Sequence, residues 1–215
     1  MLDLSDSEPI DILRVKRPEL KAWSTSGKLD GYEKDVADIG FMEQFYLQIY
    51  NTKVNGIIPW ATVHCPWESD RLMNGGSARS GNRNAPIHVI RDSPTDGHYE
   101  VRKGYYFYKQ MTLAGRPGMK VAKVHSADSN LLLVAWAKDD TDNPDSFILI
   151  NKSNNSKNSK IKLSGTAAKS FTGYITSEAV AGDSNFKSIG TLPVRNGRIT
   201  YTIPGRSSVV FFGNI

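Results

Sequence analysis

The chain has 215 residues, with 27 lysines and arginines against 22 acidic residues and a formal net charge of +5. Its hydrophobic share of 39% suits a soluble globular protein of one domain or one and a half. The basic residues are dispersed with no dense run interleaved with aromatics, which argues against a nucleic-acid binder. No stretch approaches the about 18 apolar residues of a membrane span. Cys65 is the single cysteine, so no intrachain disulfide can form. The acidic start, Met1-Leu2-Asp3-Leu4-Ser5-Asp6, lacks the basic and apolar pattern of an export leader. A secreted or periplasmic location would need such a segment upstream.

In chain order, Asp11 to Arg17 is a short helical pattern stopped at Pro18. Leu20 to Thr25 is a short strand ending at Ser26-Gly27. Asp38 to Tyr50 carries Phe41, Phe45 and Ile49 at helical spacing, and Asn55-Gly56 closes that segment. Ile57 to Val63 reads as a buried strand. Strand, helix and strand with short connections predict an α/β unit with parallel strands. Residues 66–86, rich in Gly, Asn, Arg and Ser, predict a long surface loop of the kind that carries function.

Tyr99 to Leu113 fits either a strand or a helix. Its four consecutive aromatics favour the first, and Val101, Tyr105, Tyr108 and Thr112 line one face of the second. Gly115-Arg116-Pro117-Gly118 stops the segment.

After Lys120 the pattern is all β. Strands are expected at Val121 to Val124, Leu131 to Ala137, Phe147 to Ile150, Ile161 to Leu163, Phe171 to Thr176 and Phe186 to Leu192. Asn196-Gly197 is a tight-turn pair ahead of the alternating strand Ile199 to Ile203, and Val209 to Phe212 is the last apolar run. Leu131 to Ala137, apolar throughout, predicts a central strand, and Trp136 within it belongs to the core. Tyr201 should face inward, whereas Tyr174 is a candidate surface aromatic for a glycan. Asn151-Lys152-Ser153 and Asn154-Asn155-Ser156 match the N-glycosylation pattern.

Three stretches together resemble glycoside hydrolases of the large (β/α)8 clan, most closely family 30. Trp23-Ser24-Thr25-Ser26-Gly27 and Gly56-Ile57-Ile58-Pro59-Trp60, separated by a helix, look like the seventh and eighth barrel strands. Gly104-Tyr105-Tyr106-Phe107-Tyr108-Lys109-Gln110, running into Arg116-Pro117-Gly118, is similar to the last barrel helix and the turn beyond it. Tyr174-Ile175-Thr176-Ser177, Ile203-Pro204 and Ser207-Ser208-Val209 look like the family's final sandwich strands.

The resemblance implies a mixed fold: a partial (β/α)8 barrel remnant over 1–118, then an all-β antiparallel sandwich over 119–215. It implies the C-terminal segment of a retaining glycoside hydrolase acting on β-linked glycans or glycosides. Such enzymes use two carboxylates about 5–5.5 Å apart, on loops after the barrel strands. Ser26 stands at the family's nucleophile position, and the acid/base position falls before residue 1. Neither carboxylate is therefore expected, nor activity from the isolated chain.

Trp60 and Trp23 are the expected sugar-contacting aromatics, with His64, Trp67 and Glu68 lining the loop beyond. His64 and Glu68, four apart, lack the third ligand of a metal site. No metal and no cofactor is expected. The partners expected are a carbohydrate and the remaining barrel half, or a second copy of the chain, with no nucleic acid and no membrane. A non-catalytic carbohydrate-binding module and a structural accessory sandwich stay open as alternatives.

Overall fold

The computed structural model describes residues 8–27, 39–59, 63–64, 87–93, 96–178, 181–182 and 184–215. The chain divides into two compact units, Met1–Tyr105 and Tyr106–Ile215. The division falls within one helix, ahead of the Arg116-Pro117-Gly118 boundary expected from the sequence.

The first unit opens with helix α1 (Glu8–Lys16) and strand β1 (Trp23–Gly27), followed by helix α2 (Gly40–Tyr50) and strand β2 (Gly56–Pro59). β1 and β2 pair in parallel, so the segment is a βαβ unit as the sequence rhythm predicts. α2 buries Phe41, Met42 and Phe45, with Phe41 and Phe45 edge to face at 4.8 Å. One turn of helix separates neighbours on a face, which is why this spacing produces a buried stripe.

Asn55 ties the strand entries together. Its Oδ1 accepts from the Ala22 amide at 2.9 Å and from Arg14 Nη2 at 2.6 Å, and its own amide donates to the Ala22 carbonyl at 2.7 Å. Lys53 pairs with Asp11 on α1 at 2.5 Å. The turn before β2 thus holds α1 and the approach to β1.

A three-stranded sheet follows in the order β3 (Val63–His64), β4 (Ile87–Ser93), β5 (Asp96–Val101). β3 and β4 are parallel, and β4 and β5 form an antiparallel hairpin that the sequence reading did not find. Helix α3 (Lys103–Ala114) resolves the Tyr99–Leu113 ambiguity. Residues up to Val101 are strand, and the aromatic run is helix, with Phe107 fully buried.

The second unit is a two-layer antiparallel sandwich. Its larger sheet has the order β11-β10-β13-β8-β7-β6. The strands are β6 (Lys120–Val121), β7 (Leu131–Ala137), β8 (Ser146–Asn151), β10 (Ser170–Ser177), β11 (Lys187–Pro193) and β13 (Ser207–Asn214). The smaller layer pairs β9 (Lys157–Lys162) with β12 (Arg198–Ile203). Between the layers lie Phe147, Leu149, Ile161, Phe171, Ile175, Ile199, Ile203, Val209 and Phe211. Phe147 stacks on Phe211 at 4.7 Å. Tyr201 faces inward, its ring edge to face with Phe211 at 5.8 Å, and burial raises its hydroxyl pKa above the ordinary value.

Two details differ from the sequence reading. The middle of the large sheet is the pair β13 and β8, the latter buried along its whole length, while β7, next to β8, is flanked on its outer side by the two-residue strand β6. Trp136 is buried, but not in the inter-layer core. Its indole lies against Gly115 on the opposite face, where a Cβ would come within 2.7 Å of Cε2. Alternation along β7 sends Leu133 and Ala135 inward and Trp136 outward.

α3 covers part of that opposite face. Gln110, fully buried, donates from Nε2 to the carbonyls of Tyr174 (3.0 Å) and Ser208 (3.1 Å). Ser146 Oγ donates to the Ala114 carbonyl at 2.8 Å. These bonds satisfy polar groups that would otherwise be stranded between helix and sheet.

Candidate functional site

β1 carries Trp23 and Ser26 of the expected site residues, and β2 is its parallel partner. In their parallel register Trp23 pairs with Gly56, Ser24 with Ile57 and Thr25 with Ile58. Trp23, Gly56 and Ile58 therefore share one face. Trp23 is 58% exposed and Ile58 50% exposed, so that face presents apolar surface outward. The Trp23 ring lies across Gly56, where a Cβ would stand 2.7 Å from Cε3 and 2.9 Å from Cζ3. Only glycine lets the indole lie this close to the β2 backbone.

The register then slips. Thr25 pairs with Ile58 and Gly27 with Pro59, which leaves Ser26 as the extra residue of a bulge at the C-terminal end of β1. Bulges re-aim the chain and occur often beside active sites. The break falls at the position that the family resemblance gives to the nucleophile.

His64 lies on β3, with His88 of β4 as its Cα partner, and His88 in turn pairs with Glu100 of β5. His98 Nε2 stands 4.0 Å from Glu100 Oε1, both about half exposed. Sequence reasoning missed His88, His98 and Glu100. The Ser93-Pro94-Thr95-Asp96-Gly97 turn chemistry was the cue to their hairpin. Trp60, Trp67, Glu68 and all of the long 66–86 segment lie outside the described residues. Among the described residues, no three His, Cys, Asp or Glu side chains gather to hold a metal ion.

The other sequence candidates resolve into structural roles. Tyr174 stacks on Phe186 at 4.7 Å and 8°, and Lys109 Nζ sits 4.4 Å from the Phe186 centroid, so one face of Tyr174 is closed to a sugar. Asn151 is fully buried, and its Nδ2 donates to the carbonyls of Asn155, Ile203 and Pro204. That amide is consumed by the fold and cannot carry a glycan in the folded state. Asn154, in the second matching triplet, is exposed.

No protein-family model matches the sequence, and no curated protein is similar enough to count as a match. Solved structures do match. A family 30 endoxylanase from Clostridium papyrosolvens C71 aligns over 95% of this chain and 45% of its own, at TM-score 0.69 and 19% identity. A family 30 subfamily 8 xylanase from Clostridium acetobutylicum aligns over 93% of this chain and 44% of its own, at TM-score 0.68 and 16% identity. A β-porphyranase of family 86 from Bacteroides plebeius covers 99% of this chain and 38% of its own, at TM-score 0.59 and 12% identity. The chain thus has the fold of one portion of these proteins and spans less than half of their length.

Proposed function

We propose that the chain is the C-terminal segment of a retaining glycoside hydrolase acting on β-linked glycans or glycosides. In this reading β1 and β2 are the last two strands of a (β/α)8 barrel, and the sandwich is the domain that follows it in the chain. The observation that carries the reading is the fold likeness to family 30 xylanases over 95% of the chain, βαβ unit and sandwich together. The exposed face of Trp23 and Ile58 supports it, because in a closed barrel such a face is covered by further strands. Among the described residues, the β1–β2 pair has no third strand.

Retention needs one carboxylic acid to protonate the leaving oxygen and one carboxylate to attack the anomeric carbon. Ser26 at the nucleophile position carries a hydroxyl that stays protonated near neutral pH and is a weak nucleophile without a base. The chain by itself is therefore proposed to be inactive. Trp60 is the proposed floor beneath the sugar ring, with Trp23 lining the same cleft and His64, Trp67 and Glu68 on its rim. The remaining barrel strands would come from polypeptide outside this sequence, or from a second copy.

The Ser26 departure favours a second reading, a non-catalytic module that holds carbohydrate through the same tryptophans. One pair of measurements tests the inactivity and the tryptophan site that both readings share. Aryl β-xyloside and β-glucoside assays on the chain alone should give no turnover, and xylan pull-down should weaken for Trp60→Ala and Trp23→Ala. Turnover that a single carboxylate substitution abolishes would refute the inactivity. Glycan binding lost only with sandwich variants would move the site away from β1 and β2.

A further inference from the structure

The outward face of the β9–β12 layer gathers cations that the sequence keeps apart. In the antiparallel register Lys162 pairs with Arg198, Lys160 with Thr200, and Asn158 with Thr202, and all six residues are exposed. Their neighbours Ser159, Ile161, Ile199 and Ile203 are buried on the other side. The Asn196-Gly197 turn then folds Arg195 back on Arg198 through two backbone hydrogen bonds of 2.9 and 3.0 Å.

Arg195, Arg198 and Lys162 thus stand side by side as a cross-strand row, with Lys160 one step along the same face. Neither strand contains an acidic residue. The nearby Lys157 is different: it is neutralised by Asp128 at 2.7 Å. No carboxylate among the described residues pairs with any of the four. Like charges directly opposite one another oppose sheet pairing, so the row is an uncompensated electrostatic load that a polyanion would relieve.

We infer that this row is a docking surface for a carboxylate-bearing polysaccharide. Two arginine forks offer bidentate donors to carboxylates, and the lysines supply point charges along the strand. The hydroxyls of Thr200 and Thr202 and the Asn158 amide extend the same face with groups suited to sugar hydroxyls. No aromatic side chain projects from it, since Tyr201 faces inward. Single-stranded nucleic-acid sites use such aromatics for base stacking, which favours the glycan. That preference also rests on the glycoside-hydrolase reading above, whereas the cationic row does not.

The test uses the full chain with polygalacturonate, fully methyl-esterified pectin as its uncharged counterpart, and a single-stranded polynucleotide, by affinity electrophoresis. Polygalacturonate should bind, the esterified form should not, and about 0.5 M NaCl should abolish binding by screening. Arg198→Glu/Lys162→Glu should bind about tenfold more weakly. Lys123→Glu/Arg116→Glu carries the same change in net charge at exposed positions elsewhere and should bind as the parent does. Equal losses in both variants, or equal binding of the two pectins, would overturn the site. Tighter binding of the polynucleotide than of polygalacturonate through the same four residues would overturn the glycan assignment. Failure here leaves the β1–β2 site untouched, because that site is read with neutral xylan.

Discussion

Gln110 on α3 and Ser208 on β13 are bonded to each other in both directions. Gln110 Nε2 donates to the Ser208 carbonyl, and Ser208 Oγ donates back to Gln110 Oε1 at 2.5 Å. Both residues are fully buried. A buried amide with both ends engaged orients a helix on a sheet in a way that apolar packing alone would not, because a rotated helix leaves several polar atoms unpaired. Gln110→Leu, similar in size, should lower unfolding stability by about 1–3 kcal/mol. Urea denaturation followed by circular dichroism reads this. A change below about 0.5 kcal/mol would mean that water replaces the amide at no cost.

Gly56 sets the position of Trp23. Gly56→Ala would drive a methyl into the indole and tilt it away from β2. The expected outcome is a shifted resonance for residue 23 in 5-fluorotryptophan-labelled protein, and weaker xylan binding if Trp23 contacts sugar. The stability loss should be about 1 kcal/mol, as for other modest overpacking. An unmoved resonance would contradict the packing of Trp23 on Gly56.

Asn196 and Gly197 both have positive φ, at 50° and 67°. This is the two-residue hairpin geometry whose twist matches the flanking strands. Gly197→Ala should cost about 1 kcal/mol through the left-handed conformation alone. The methyl meets open space, its nearest neighbour being the Leu163 carbonyl at 3.8 Å. Thermal unfolding would measure the loss.

Arg198→Glu should act in the opposite direction. It would exchange two like-charge contacts, with Arg195 and Lys162, for two opposite ones. The predicted gain is about 0.5 kcal/mol, shrinking as salt is added. A loss of stability would mean that the row is already neutralised in the folded chain.

Asp128 has its carboxyl pKa lowered, first by the hydrogen bond from Lys157 and then by the Asn130 amide. A folded-state pKa below the unfolded value stabilises above the unfolded pKa and is lost as pH falls through the folded one. Thermal midpoints of the parent and Asp128→Asn should therefore differ at neutral pH and converge in strong acid. Parallel curves down to the lowest pH would rule out this pair as a contributor.

The β region was legible because its physics is local. Ile199, Tyr201 and Ile203 alternate with Thr200 and Thr202, and Asn196-Gly197 admits essentially one turn, so the buried face of β12 and the turn ahead of it follow from a dozen residues. The βαβ unit was legible through the spacing of Phe41 and Phe45. The aromatic run from Tyr105 to Tyr108 was not, because strand propensity and helical periodicity compete there; packing of Phe107 and Gln110 decides it, and neither partner is near in sequence. The bulge at Ser26 had no cue, since it exists only in the pairing of β1 with β2. The cationic row was hidden for the same reason. Lys160, Lys162, Arg195 and Arg198 look dispersed along the chain, and strand register alone makes them neighbours.

β13 lies in the interior of the large sheet, between β10 and β8, although it is the last strand of this sequence to be made. During synthesis β8 and β10 emerge with a strand-wide gap between them, and their unpaired backbones must wait for residue 214 to leave the ribosome. Deleting Ser207–Asn214 would remove the keystone of the sheet and leave β8 and β10 as two open edges exposed to proteolysis and intermolecular pairing.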